Sequence, residues 1–272
     1  MVLIDVVKNA AKKKGKKRFL KYNKDKQTFA QTADLIRKAA FGMQQLGIKK
    51  GDRVALLLNN SPEFIYSYFG AVMLGAEVVP LNTFLRIDEI VYILDDCKAK
   101  ILVTSSDFEK VLSGFSKNRV QSLDYIVSVN EISGVEHLKF YEVCKEGNPG
   151  EAKVDEDDVA VIIYTSGTTG KPKGAMLTHK NLISNVEDAK TAIHIKENDR
   201  FIIFLPMFHA FSFTVCVLLP YYMQTSLTII KSIQPFSNIL KAIAKDRITI
   251  FVAIPPVYNV LAGKKIPKFI LW

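Results

Sequence analysis

Largely apolar runs recur at residues 53–58, 77–80, 100–104, 125–129 and 159–164, and none of them alternates apolar with polar side chains. A strand with one wet face alternates. A strand that is apolar throughout must be covered on both faces, which is the situation of a parallel strand between layers of helix. The segments between the runs carry helical signals. Thr28 and Gln31 stand at capping-box spacing ahead of Ala33, Ile36, Ala40 and Met43, and Gly47 offers a left-handed stop. Ser61, Pro62 and Glu63 supply a cap, a first-turn proline and a first-turn acid for a second helix that Gly75 ends. A third helix is predicted over 87–95, and the fold class is α/β with mostly parallel sheets flanked by helices.

Composition narrows the function classes. Of 272 residues, 49% are apolar and 24% charged, the profile of a globular chain and not of a disordered or collagenous one. Cys97, Cys144 and Cys216 are scattered with no C-x-x-C pair, so neither a zinc knuckle nor a disulfide framework is supported, and a cytoplasmic home is expected. The net charge is +10, but residues 1–26 alone carry +8, so the basic balance describes one N-terminal arm and not a nucleic-acid-binding face. Two readings of that arm stand open. It is a solvated, partly flexible segment, or it makes peripheral contact with anionic lipid at the inner face of a membrane, where each Lys or Arg contributes ~1 kcal/mol. It is not a secretory signal, because its short apolar stretch precedes the positive charges. Residues 201–230 lack any Asp, Glu, Lys or Arg, yet Pro206, His209, Pro220 and Gln224 interrupt them. They read as strand 201–205, buried helix 210–219 and strand 226–230 instead of a membrane span. The apolar run 266–272 at the chain's end, with no cap or polar tail, suggests a cut inside a larger domain.

The chemistry is concentrated after the run at 159–164. Thr165, Ser166, Gly167, Thr168, Thr169, Gly170, Lys171, Pro172, Lys173 and Gly174 follow it directly, and a helix is expected from about Thr178. Glycines let backbone approach a ligand closely, hydroxyls and exposed N–H groups donate to phosphate oxygens, and two lysines add positive charge. A polyphosphate matches this set. The spacing is not that of a P-loop, because Lys171 is followed by proline and not by Ser or Thr.

Residues 164–174 resemble the signature loop of the adenylate-forming (AMP-binding) enzymes, the superfamily of acyl-CoA synthetases, luciferases and peptide-synthetase adenylation domains. Leu205, Pro206, Met207, Phe208 and His209 resemble its second motif, and Val79, Pro80, Leu81 and Asn82 resemble its long-chain fatty acid–CoA ligase branch. The resemblance runs from Thr28 to Pro256 and implies an N-terminal portion with two α/β subdomains. One would span about 45–190 with the phosphate loop; the other would combine 1–44 with 200–272. The family's C-terminal domain, its Tyr-Gly-x-Thr-Glu segment and its ribose-binding Asp have no match, so a fragment inactive by itself is expected.

By the resemblance, ATP and Mg²⁺ serve acid activation, and coenzyme A is the co-substrate that takes the acyl group from AMP. Ser166, Gly167, Thr168, Thr169, Gly170, Lys171, Lys173 and Gly174 would hold the β- and γ-phosphates, and Thr165 would bind both nucleotide and Mg²⁺. Lys173 and His209 are the catalytic candidates, His209 lying near the α-phosphate and the incoming carboxylate. Ser212 departs from the glycine that many relatives carry. The helix after His209 has two open readings: Phe211 and Phe213 line an acyl site, or they are core. The implied substrate is a fatty acid, with room for a homo-oligomer. The rival reading is a non-catalytic module that binds polyphosphate or a lipid surface. His137, His179 and His194 show no ligand spacing, His179 falls in the first turn of its helix, and Asp155, Glu156, Asp157 and Asp158 form a solvated turn.

Overall fold

The computed structural model describes residues 1–115, 119–150, 152–165 and 171–263. Two expectations, the phosphate-binding roles of Ser166, Gly167, Thr168, Thr169 and Gly170 and the reading of the run 266–272, fall outside those residues. In chain order the elements begin with helix α1 (Leu3–Lys14), strands β1 (Arg18–Tyr22) and β2 (Asp25–Thr28), and helix α2 (Phe29–Gln45). Strands β3 (Arg53–Leu56), β4 (Glu77–Pro80) and β5 (Ala99–Thr104) alternate with helices α3 (Pro62–Met73) and α4 (Ile87–Asp96). After a short α5 (Glu109–Leu112) come β6 (Tyr125–Ser128), β7 (Leu138–Lys139) and α6 (Phe140–Val143). Strands β8 (Val159–Thr165) and β9 (Lys173–Thr178) lead into α7 (His179–Ala192). The remainder is β10 (Arg200–Ile203), α8 (Ala210–Phe213), a π-helical turn (Thr214–Leu218), α9 (Leu219–Tyr222), β11 (Ser226–Ile229), α10 (Ser237–Asp246), β12 (Ile250–Phe251) and α11 (Pro255–Ala262).

The strands form two sheets. One runs β7-β6-β5-β3-β4-β8-β9, parallel except where β9 returns antiparallel to β8. The other runs β12-β10-β11-β1-β2, parallel except for the β1–β2 hairpin. The first sheet draws its strands from 53–178 and the second from 18–28 and 200–251. Successive residues of one strand enter different cores. Val54 and Leu56 face a large central core while Ala55 and Leu57 face an outer one, and Phe201 and Ile203 face the centre while Ile202 and Phe204 face away. Residues of α1, α2, α3 and α7 share the central core with both sheets, so a helical layer lies between them. The unbroken apolar runs have this cause: both faces are covered.

The local signals act as their chemistry requires. Thr28 Oγ1 accepts from the Gln31 N–H at 3.2 Å while Gln31 Oε1 accepts from the Thr28 N–H at 2.9 Å, closing the capping box of α2. Ser61 Oγ accepts from the Phe64 N–H at 3.3 Å ahead of α3. Gly47 and Gly75 take φ of +88° and +70° just past α2 and α3, the left-handed conformation that glycine adopts without a Cβ penalty.

Two expectations are corrected. The N-terminal arm is not a flexible segment. Leu3, Ile4, Val6, Val7 and Ala10 of α1 are buried in the central core, and β1 is paired on both sides within its sheet. Its apolar positions outweigh the lysines, which cluster at the solvent side and the helix end. The helix expected from about Thr178 does begin there, at His179 with Thr178 as its N-cap, but the polar loop does not extend through Gly174. Lys173 and Gly174 begin β9, in register with Thr165 and Tyr164, so β8 and β9 are the two limbs of an antiparallel hairpin. The stretch 201–230 follows the strand–helix–strand reading, and among the described residues no helix is long and apolar enough to cross a membrane.

Candidate active site

The parallel strands of both sheets point their carboxyl ends at one cavity of about 1040 Å³. Its wall takes Asn59 and Asn60 from beyond β3, Asp107 from beyond β5, Thr165 from the end of β8, His209 and Phe211 from beyond β10, and Lys231 from beyond β11. In open α/β sheets the crevice outside the carboxyl strand ends is where backbone leaves its ladder and loops can present ligands.

Thr165 is the last residue of β8 and is exposed, its partner across the hairpin being Lys173. The hairpin is clamped to α4. The Tyr164 hydroxyl donates to Asp96, the Tyr92 hydroxyl donates to the Pro172 carbonyl at 3.4 Å, and Lys171 Nζ lies 5.5 Å from the Tyr92 ring centroid. Burial, joined by the Asp96 carboxylate, raises the Tyr164 pKa and keeps that phenol a donor. Gly174 is required by close approach: a Cβ there would stand 2.7 Å from Ile162 Cγ2 and 3.1 Å from Tyr164 Cζ.

His209 sits at the N-cap position of α8 with extended backbone, and its ring lies 4.3 Å from that of Phe208. Partial burial lowers its pKa, so at neutral pH the imidazole is uncharged and offers one N–H donor. Phe211 is 56% exposed on the cavity wall. Phe213, two residues on, points into the central core against Tyr68 at 4.2 Å between ring centroids and is absent from that wall. The structure thus brings Thr165, His209 and Phe211 to one cavity, with Lys171, Lys173 and Gly174 on the opposite limb of the hairpin.

Two features escaped the sequence reading. Asn60 is buried and fastens the loop carrying His209. Its Nδ2 donates to the carbonyls of Leu205 at 2.9 Å and Ile230 at 3.1 Å, and its Oδ1 accepts from the Met207 N–H at 2.8 Å. Asp107 accepts from Lys231 at 2.7 Å and from Asn59 at 3.0 Å, joining loops of the two sheets across the cavity. Burial pushes the Asp107 pKa up, but its hydrogen bonds to Lys231 and Asn59 outweigh this and hold it below the ordinary carboxylate value. The only advance sign of either was a pair of asparagines after an apolar run.

His179 is the first residue of α7 and is buried, its Nδ1 accepting from the Leu3 N–H at 3.3 Å, a structural role. Asp155 and Asp158 form a turn in which the Asp155 N–H donates to Asp158 Oδ2 at 2.6 Å. Among the described residues no group of three or more His, Cys, Asp or Glu side chains is placed to hold a metal ion. Thr165 provides a single hydroxyl, which fits Mg²⁺ only if the other positions are filled by phosphate oxygens and water, the usual arrangement for that ion.

The family profile of the AMP-binding enzymes matches residues 7–269. Among curated proteins, the chain is 32% identical over 243 residues to 4-coumarate–CoA ligase 3 of Arabidopsis thaliana, covering 86% of this chain and 42% of that protein. It is 33% identical over 245 residues to the long-chain-fatty-acid–CoA ligase FadD13 of Mycobacterium tuberculosis, covering 89% and 46%. The chain therefore spans about half the length of the curated relatives it matches. The crystal structure of the anthranilate CoA ligase AuaEII in complex with anthranoyl-AMP superposes with a TM-score of 0.91 at 26% identity, over 97% of this chain and 52% of that one. With the profile covering nearly the whole chain and the two-sheet architecture shared, the chain belongs to the AMP-binding enzyme family, in its acyl-CoA synthetase-like branch, and corresponds to the N-terminal portion of its members.

Proposed function

We propose that this chain forms the ATP- and acid-binding part of a ligase that activates a carboxylic acid, a fatty acid in particular, and passes the acyl group to coenzyme A. The observation that carries the reading is the convergence of Thr165, His209 and Phe211 on one large cavity at the carboxyl ends of two sheets. In the first step a carboxylate oxygen bonds to the α-phosphorus of ATP while the bond to pyrophosphate breaks. In the second the coenzyme A thiol loses its proton to solvent, its sulfur attacks the acyl carbon, and AMP leaves.

The obstacle to the first step is the approach of one anion to another, so the protein must supply positive or donor groups where charge gathers. Lys171 and Lys173 bring cations to the hairpin whose tip, by the family resemblance, cradles the departing pyrophosphate. A bound Mg²⁺ would offset phosphate charge, with Thr165 as its protein oxygen. His209, neutral and at the cavity wall, can donate a hydrogen bond to the carboxylate without fixing it as a tight ion pair. Asn60 holds the His209 loop in place.

Phe84, Phe108, Phe204 and Phe208 share the wall with Phe211, a surface suited to an alkyl chain, each buried methylene contributing ~0.8 kcal/mol. The test is acid-dependent exchange of pyrophosphate into ATP by the complete gene product, with fatty acids of increasing length and hydroxycinnamic acids as substrates. Exchange that rises with alkyl length is expected. Exchange with aromatic acids alone refutes the substrate class, and exchange with no acid refutes the ligase reading.

A further inference from the structure

We propose that a second cavity, walled by the β1–β2 hairpin, the first residue of β10 and the end of α10, binds a ligand carrying phosphate groups. The cavity measures about 380 Å³. Four cations reach its wall from the hairpin region: Arg18, Lys21, Lys24 and Lys26. Three more, Arg200, Lys245 and Arg247, arrive from segments nearly two hundred residues away or more, so the fold and not a local lysine run gathers them.

The single carboxylate on that wall is already engaged. Asp246 is ion-paired with Lys21, and both side chains are buried. Among the described residues, Arg18, Lys24, Lys26 and Lys245 have no carboxylate within salt-bridge reach. Arg200 is fixed in place, its Nε donating to the Arg247 carbonyl at 2.5 Å and its backbone N–H to Thr249 Oγ1 at 2.9 Å. Arg247 ends α10 with φ of +51°, a left-handed position that glycine or asparagine fills more easily.

A concave surface of one sign focuses its field, and its like charges repel one another until a counter-ion enters. Phosphate groups answer that arrangement best, because they carry up to two charges each and match the arginine fork. The site is separate from the cavity of the proposed ligase reaction. Arg200 opens β10 at its amino end, and His209 lies beyond the carboxyl end of the same strand. The inference does not depend on the ligase reading.

The test uses the full chain at physiological ionic strength with two probes: inositol hexakisphosphate, followed by calorimetry, and phosphatidylcholine vesicles with or without phosphatidylinositol bisphosphate, followed by sedimentation. Saturable binding of at least one probe is expected. The exposed triple substitution Lys24→Ala/Lys26→Ala/Lys245→Ala should weaken it by about tenfold or more. The control Lys12→Ala/Lys13→Ala/Lys16→Ala removes the same charge away from the cavity and should leave it unchanged. Binding of the soluble probe without sedimentation assigns a soluble phosphate compound; sedimentation that requires the phosphorylated headgroup assigns a lipid. Relief of repulsion should leave the ligand-free cavity variant melting no lower than the parent. Equal weakening by both triple substitutions, which would mean net charge alone, overturns the proposal. So does the absence of saturable binding to either probe, the result expected if these lysines only protect the β2 edge from pairing with another chain.

Discussion

Acidification should loosen the contact between the first helix and α7 through His179. Burial lowers the His179 pKa from 6.5 to about 4, against the weaker opposing pull of Asp158 and Asp5. In the folded chain the ring stays neutral and its Nδ1 accepts from the Leu3 N–H. In the unfolded chain it takes a proton at its ordinary value. Below that value the unfolded state binds more protons, so stability falls with pH from about 6.5 down to about 4 and then levels. With those two values the loss is about 2 kcal/mol between pH 7 and pH 5, and about 3 kcal/mol once both forms are fully protonated. The assay is urea denaturation followed by circular dichroism at pH 7 and pH 5, for the parent chain and for His179→Asn. The asparagine oxygen can still accept from Leu3 but does not titrate. Carboxylates held low by salt bridges away from His179, such as Asp107 beside Lys231, contribute equally to both proteins, so the difference isolates the histidine together with Asp158, the carboxylate coupled to it. Identical pH dependence in the two chains, or a His179 resonance titrating near 6.5, would refute the reasoning.

Other expectations concern the candidate site. Asn60→Ala leaves a buried Met207 N–H and two carbonyls without their partner, at about 1–3 kcal/mol for each unsatisfied group, and should lower turnover by releasing the His209 loop; a melting curve and a steady-state assay check both. Phe213→Ala should cost about 3–5 kcal/mol of stability because it opens a hole beside Tyr68. Phe211→Ala should change stability by no more than about 0.5 kcal/mol while raising the KM for the acid, and equal melting losses in the two phenylalanine variants would contradict their assignment to wall and core. Gly174→Ala should destabilise the hairpin by about 1–3 kcal/mol, read as a lower urea midpoint, since its Cβ would enter the space of Ile162.

What the sequence determined by itself was everything that one element's own residues decide. Apolar runs without alternation specified parallel strands covered on both sides, and Val54 and Ala55 do face opposite cores. Thr28 with Gln31, Ser61 with Pro62, and Gly47 and Gly75 marked helix ends because caps and left-handed turns are satisfied within a few residues. The order of a buried strand followed by hydroxyls, glycines and lysines located the phosphate-binding candidate for the same reason. Tertiary structure decided whatever depends on residues far apart. β9 has no fully buried residue and carries apolar side chains only at Ala175, Met176 and Leu177, so its pairing with β8 is what makes it a strand. Phe211 and Phe213 carry the same side chain two positions apart, and the chain's path past Tyr68 alone sends one to the cavity and the other to the core. Asn60 gains its role from Leu205, Met207 and Ile230, and Lys24 gains its setting from Arg200 and Lys245, because hydrogen bonds and fields act through space while sequence patterns register only neighbours along the chain.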